Sequence, residues 1–219
     1  MEHQLETLAD AGAVAATAAS FVAGLARSSV GARRRFTFAV SGGHTPWAMF
    51  AELAGHDVPW EAVELYQVDE RVAPDGDPDR NLTHLRQALG SAPATVHAMA
   101  VESPDLEAAA RVYGESLPGR FDLVHLGLGP DGHTASLVPG DPVLEVRHAP
   151  VGVTAPYQGR RRMTLTYPGL ERADRLLWLV TGADKRPALA QLLAGDRSIP
   201  AGRVEAPRSL VMADESAAG

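Results

Sequence analysis

Residues 121–139, FDLVHLGLGPDGHTASLVP, constrain the fold of this chain more than any other stretch. The apolar run at 121–128 reads as a buried strand with one histidine inside it. It breaks into Gly127-Leu128-Gly129-Pro130-Asp131-Gly132-His133. A strand that ends in such a turn puts the turn at its carboxyl end, where open α/β sheets place their ligands. The glycines let the backbone take positive φ and come close to a ligand. Asp131 and His133 stand two residues apart in the turn. An aspartate beside a histidine orients the imidazole and stabilises its charged form, so the pair suits general acid–base work on a small molecule. The plainer alternative is a tight turn with two solvated polar side chains. Residues 134–137 read as the opening of a short helix.

Three other segments repeat the arrangement. A strand at 36–40 runs into Ser41-Gly42-Gly43-His44-Thr45-Pro46, followed by a helix from about 47 to 53. Exposed backbone N–H groups, two hydroxyls, a proline suited to the first helical turn and the positive helix end together make an anion site, although such a turn can also be only a turn. A strand at 63–68 runs straight into Asp69-Glu70-Arg71, and a strand at 176–182 is followed by Lys185, which opens a helix through residue 193. One sheet edge would gather all four segments. Strands alternating with helices predict a three-layer α/β/α domain with a mainly parallel, Rossmann-like sheet. It is expected to span residues 1–213, with 214–219 a disordered tail.

The remaining elements are weaker. Apolar spacing over 4–27 predicts an Ala-rich packing helix. Helices are expected over 81–89, with Asn81 near its start and able to cap it, and over 104–117, with Ser103 as N-cap. Short strands are expected at 96–99, 151–154, 163–166 and 209–212, and a helical turn at 168–173. Of Arg160, Arg161 and Arg162, strand alternation lets one or two reach a common site. Arg33, Arg34 and Arg35 read as a solvated basic rim. The acidic 73–79 loop is a candidate lid.

Composition narrows the function. The 219 residues carry a net charge of −7 and a pI near 5.6, which argues against a general nucleic-acid binder but not against a local basic pocket. Without cysteine there are no disulfides, thiolate nucleophiles or Cys-ligated metals. No apolar run of about 18 residues predicts a membrane span, and the N-terminus does not resemble a signal peptide, so a cytoplasmic protein is the default. Lys185 is the single lysine beside 19 arginines, Asn81 the single asparagine and Ile199 the single isoleucine. Lys185 and Asn81 therefore merit a chemical role, whereas Ile199 has none evident.

In order along the chain stand SGGHTP at 41–46, DER at 69–71, DPDRN at 77–81, LGLGPDGHTASLVP at 126–139, RMTLT at 162–166 and VTGADK at 180–185. In these motifs the chain resembles the 6-phosphogluconolactonases, which form one wider family with the glucosamine-6-phosphate isomerases/deaminases. The resemblance covers the chain from the N-terminal helix to about residue 193. It implies hydrolysis of 6-phospho-D-glucono-1,5-lactone to 6-phosphogluconate in the oxidative pentose phosphate pathway, with no metal, no other cofactor and no nucleic-acid or membrane partner. The protein would be a monomer or small homo-oligomer. His133 is then the general base and Asp131 its orienting partner. Substrate and phosphate binding fall to Ser41, Gly42, Gly43, Thr45, Asp69, Arg71, Asn81, Gly129, Arg162 and Lys185. Arg71 could instead pair with Asp69 or Glu70. His125 reads as a core histidine. The deaminase branch carries Asn-Glu-Pro after its DGH segment; here Ser136-Leu137-Val138-Pro139 has no carboxylate. Arg80 stands where the family often has serine. Amino-sugar-phosphate isomerisation/deamination and non-catalytic sugar-phosphate sensing are the two alternatives.

Overall fold

The structure, a computed structural model, describes residues 2–219. Seven strands form one parallel sheet: β1 (Gln4–Leu8), β2 (Phe36–Val40), β3 (Val63–Gln67), β5 (Thr95–His97), β6 (Leu123–Gly127), β9 (Leu176–Val180) and β10 (Ser209–Asp214), in the order β1-β10-β9-β6-β2-β3-β5. Parallel strands buried on both faces read as continuous apolar runs. In β9, Leu176, Trp178 and Val180 enter one core while Leu177 and Leu179 enter the other. Helices α1 (Ala11–Arg33) and α2 (His44–Leu53) cover the second face, joined by Leu85 of α3 (Asn81–Leu89). The first face packs against α4 (Leu106–Ser116), α5 (Tyr167–Leu170), α6 (Arg186–Leu193) and α7 (Glu215–Ala218). The expected three-layer α/β/α class with a parallel sheet is the fold observed.

A second, antiparallel sheet of three short strands, β4 (Asp69–Arg71), β8 (Arg162–Leu165) and β7 (Val151–Val153), stands beside the first. Pairing of the edge strand β4 with the central β8 puts Arg71 opposite Arg162 and Asp69 opposite Thr164. From β2 the chain builds outward through β3 to β5, then returns to the other side of β2 with β6. The order reverses between β2 and β6, and a crevice opens there at the carboxyl ends of the strands.

Several sequence expectations are corrected. Residues 4–8 are an edge strand paired with β10, and the helix begins only after Asp10, whose carboxylate accepts from the Ala13 N–H at 2.8 Å. By length and composition α1 is apolar enough to cross a bilayer, contrary to the sequence reading; its Ala/Val face is buried against β10 and α2. The N-cap of α4 is Asp105, not Ser103. Residues 134–137 form a bridged turn rather than a helix, with Ala135 at φ 51°. Residues 214–219 are ordered: Asp214 ends β10 and caps the one-turn helix α7, accepting from Ala217 N–H at 2.8 Å.

Candidate active site

A cleft of about 320 Å³ lies at the β2/β6 reversal. After β2 the chain turns through Ser41, Gly42 and Gly43 into α2. Gly43 takes φ 138° as the N-cap and offers no side chain to the helix end. Among the described residues, the N–H groups of Gly42, Gly43 and His44 have no protein acceptor, so orphan donors and the positive helix end face the cleft. A Cβ on Gly42 would fall 2.0 Å from Asn81 Oδ1; only glycine lets this turn lie against α3. Thr45 Oγ1 sits 2.9 Å from Thr181 Oγ1. Beneath the turn, Ser41 N–H donates to Nδ1 of the fully buried His125 at 3.3 Å. Burial pushes the His125 pKa down to about 3, so it is a neutral core histidine, as expected from sequence.

After β6, His133 lines the cleft, and its Nδ1 lies 2.5 Å from Asp131 Oδ1. The same oxygen accepts from the His133 N–H at 3.1 Å. Burial raises the Asp131 pKa, but the two hydrogen bonds and the charge of His133 outweigh it and hold the carboxyl below its usual range. Asp131 stands behind His133 rather than in the cleft wall. With Nδ1 occupied, Nε2 is the ring nitrogen left for a ligand. The turn is built around this ring: a Cβ on Gly129 would sit 2.1 Å from His133 Nδ1. Gly132, at φ 78°, packs on Ile199, whose Cβ would lie 2.5 Å from an added methyl, and its carbonyl accepts from Ala201 N–H. That gives Ile199 a structural role the sequence did not reveal.

The small sheet supplies the opposite wall. Arg71 Nη1 donates to the Asp79 carbonyl at 2.7 Å and to Asn81 Oδ1 at 3.0 Å. Arg162 Nη2 donates to Gln158 Oε1 at 3.1 Å, and its guanidinium lies 5.0 Å from the centre of the Tyr157 ring. Among the described residues neither arginine forms an ion pair, so Arg71 does not pair with Asp69 or Glu70 as the plainer reading had it. Burial lowers the Arg162 pKa, opposed by the nearby charge of Asp69 and reinforced by that of Arg71. Two like charges opposite each other across a strand pair are destabilising, and an anion between them relieves that cost. Asn81 does not cap α3: Arg80 is the N-cap, and the Asn81 amide donates to the Asp69 carbonyl and carboxylate. Asp69 is 4% exposed and also accepts from Ser136 Oγ at 2.7 Å. Lys185 lines the cleft and pairs with Asp184 at 3.0 Å; it ends a short 3₁₀ turn just before α6.

Of the sequence-predicted residues, all but Asp131 line this one cleft. Arg160 and Arg161 do not; Arg160 binds Asp77 and Asp79 of the 73–79 loop. The sequence reading missed Glu70, which is fully buried, accepts from Arg71, Asn81 and Leu82 N–H groups and pairs with Arg80 Nε at 3.1 Å. This pairing accounts for arginine at position 80. It also missed Ser136 and Tyr157; the latter contacts both Arg162 and, edge-on, His133. The signal for Glu70 was its place inside DER; for Tyr157 there was none.

Residues 9–213 match the family described as glucosamine-6-phosphate isomerases/6-phosphogluconolactonase. A 6-phosphogluconolactonase of Nostoc is 31% identical over all of this chain and 98% of its own length, and one of Mycobacterium tuberculosis is 34% identical with the same coverage. The crystal structure of a 6-phosphogluconolactonase from Thermotoga maritima superposes with a TM-score of 0.88, at 25% identity over 98% of this chain and 100% of that one. A monomeric glucosamine-6-phosphate deaminase shares the fold (TM-score 0.86) at 18% identity, covering 100% of this chain and 99% of that one. The chain belongs to the glucosamine-6-phosphate isomerase/6-phosphogluconolactonase family.

Proposed function

We propose that this protein hydrolyses 6-phospho-D-glucono-1,5-lactone to 6-phosphogluconate, the reaction of the oxidative pentose phosphate pathway. The observation that carries this reading is the meeting, across one cleft, of His133, backed by Asp131, on one wall with two facing arginines, neither in an ion pair, on the other. The first is what ester hydrolysis needs; the second is what a phosphate needs.

In this mechanism His133 Nε2 takes a proton from water as the water oxygen bonds to the lactone carbonyl carbon, C1. Asp131, held ionised, fixes the ring through Nδ1 and stabilises the imidazolium. The tetrahedral oxyanion collapses, the bond from C1 to the ring oxygen breaks, and the imidazolium returns its proton to that oxygen. The product is a hydroxy acid that releases one proton at neutral pH. General acid–base help of this kind is worth about 10²–10⁴-fold. The Gly129 N–H is already bonded to the His133 carbonyl at 2.8 Å, so the oxyanion donors are sought among the free amides of the Ser41–Thr45 turn. Arg71, Arg162 and Lys185 hold the phosphate. Asp69 and Asn81 keep the arginine wall in place, and Ser41 and Thr45 complete the binding turn. Binding energy from the phosphate, remote from C1, positions the reacting carbon.

The deaminase alternative lacks a carboxylate after the DGH segment, where Ser136 is engaged by Asp69. A stopped-flow record of proton release from fresh lactone, corrected for spontaneous hydrolysis, tests the assignment. Rapid release by the wild type that is lost in His133→Ala supports it. Lactone or product binding without release would make the protein a sugar-phosphate sensor, and release unchanged in His133→Ala would remove the base.

A further inference from the structure

The opposite edge of the parallel sheet carries a second built cavity. It has a volume of about 520 Å³ and is lined by Arg33, Arg35, Thr37, Arg120, Asp122, Asp174 and Arg208, with Gly119. Its charged residues come from positions just before neighbouring strands: Arg35 before β2, Asp122 before β6, Asp174 before β9 and Arg208 before β10. The parallel sheet thus gathers them at its amino edge, as it gathers the cleft residues at its carboxyl edge.

Four guanidiniums face two carboxylates, a surplus of two positive charges in a chain whose net charge is −7. Asp122 is bonded to Arg33 and accepts from Thr37 N–H and Oγ1 at 2.8 and 3.1 Å. Asp174 is shared between Arg120 and Arg208, the latter at 2.8 Å. Arg35 has no carboxylate or hydrogen-bond partner among the described residues. Arg175 stands close behind, and after burial the like charge of Arg208 is the next influence lowering its pKa. The two carboxylates pair with three of the arginine forks and hold them in place, leaving a net positive charge and Arg35 without a carboxylate, and such forks match phosphate and carboxylate oxygens. The charges converge on a cavity rather than spreading along a face, which favours a small ligand over a polymer.

We propose that this cavity is a second anion site, taking a small molecule with two or more phosphate or carboxylate groups, independent of the lactone cleft. The inference does not rest on the lactonase reading. The probe is inorganic triphosphate, followed by calorimetry at about 0.15 M salt, where exposed charges are screened over roughly 8 Å. The background is Arg71→Ala/Arg162→Ala/Lys185→Ala, which removes all three cations assigned to the phosphate in the cleft. One equivalent should still bind. Adding Arg120→Ala/Arg208→Ala should weaken that binding at least tenfold, and adding Arg35→Ala, which breaks no ion pair or side-chain hydrogen bond of the described residues, should weaken it several-fold. Absence of binding to the cleft-disabled protein, or binding unchanged by Arg35→Ala and by the double substitution, overturns the proposal. In the otherwise wild-type protein, Arg120→Ala/Arg208→Ala should leave lactone turnover unchanged.

Discussion

Gly129 holds the imidazole of His133 directly against the backbone, so closely that a methyl group there would lie 2.1 Å from Nδ1 and 2.7 Å from Asp131 Oδ1. Glycine is required at this position by proximity alone, since its φ is not in the left-handed region. Gly129→Ala should therefore turn the ring away from Asp131 while leaving the fold intact. The expected result is a fall in kcat of about 10²-fold or more, of the order lost with the base itself, and a Tm within a few degrees of wild type. A kcat near wild type would show that the ring tolerates displacement.

The facing arginines should govern the phosphate. Removing one charge-assisted contact is worth about 1.5–3 kcal/mol, so Arg71→Ala or Arg162→Ala should cut kcat/KM by roughly 10- to 150-fold. The unphosphorylated lactone should be hydrolysed equally by mutant and wild type. Arg162→Lys should not restore the loss, because an ammonium cannot reproduce a planar fork stacked on Tyr157. Steady-state rates with both lactones measure this; an equal loss with each substrate would assign the arginines to scaffold rather than recognition.

Arg80 and Glu70 form a buried pair, 2% and 0% exposed. Arg80→Ala leaves the Glu70 carboxylate buried without its counter-charge, which costs about 3–5 kcal/mol. Urea unfolding should show that loss. Because Glu70 also anchors the Asn81 and Leu82 N–H groups, activity should fall with it. A loss below about 1 kcal/mol would mean that its backbone donors suffice.

His125 should make the protein acid-sensitive. Its folded pKa of about 3 lies below the 6.5 of the free side chain, so the unfolded chain binds a proton that the folded one refuses. Its neutral form is accommodated fully above pH 6.5, and stability falls as pH drops from there toward 3. At about 1.4 kcal/mol per unit, the effect reaches several kcal/mol. Urea midpoints at pH 7 and pH 5 should differ in the wild type and differ less in His125→Phe. Equal pH slopes would mean that the ring is hydrated in the native state.

The sequence made the local chemistry legible and the long-range pairings illegible. Strand, glycine turn and charged residue are neighbours in the chain, so Ser41, His133 and Lys185 were found from their own surroundings. β1 was read as the start of α1 because Leu5 and Leu8 also fit a helical spacing, and its partner β10 lies some two hundred residues away. For the same reason DER looked like a charged strand end. Its pairing with β8 turns Asp69 inward and places Arg71 beside Arg162, a relation that no local pattern encodes. Tyr157 owes its place to the turn at Gln158 and Gly159, φ 51° and 80°, which folds the segment back beside the cleft.

The two walls of the cleft belong to different sheets: His133 follows β6 of the large parallel sheet, while Arg71 and Arg162 ride on the small antiparallel one. On the proposed reading, the gap between the sheets works as a ruler. It fixes how far a phosphate must stand from the carbonyl that water attacks, and a lactone phosphorylated one carbon nearer would reach either the anchor or the base but not both. Selectivity for chain length would then be a property of how the two sheets are spaced, tunable by residues that touch no substrate.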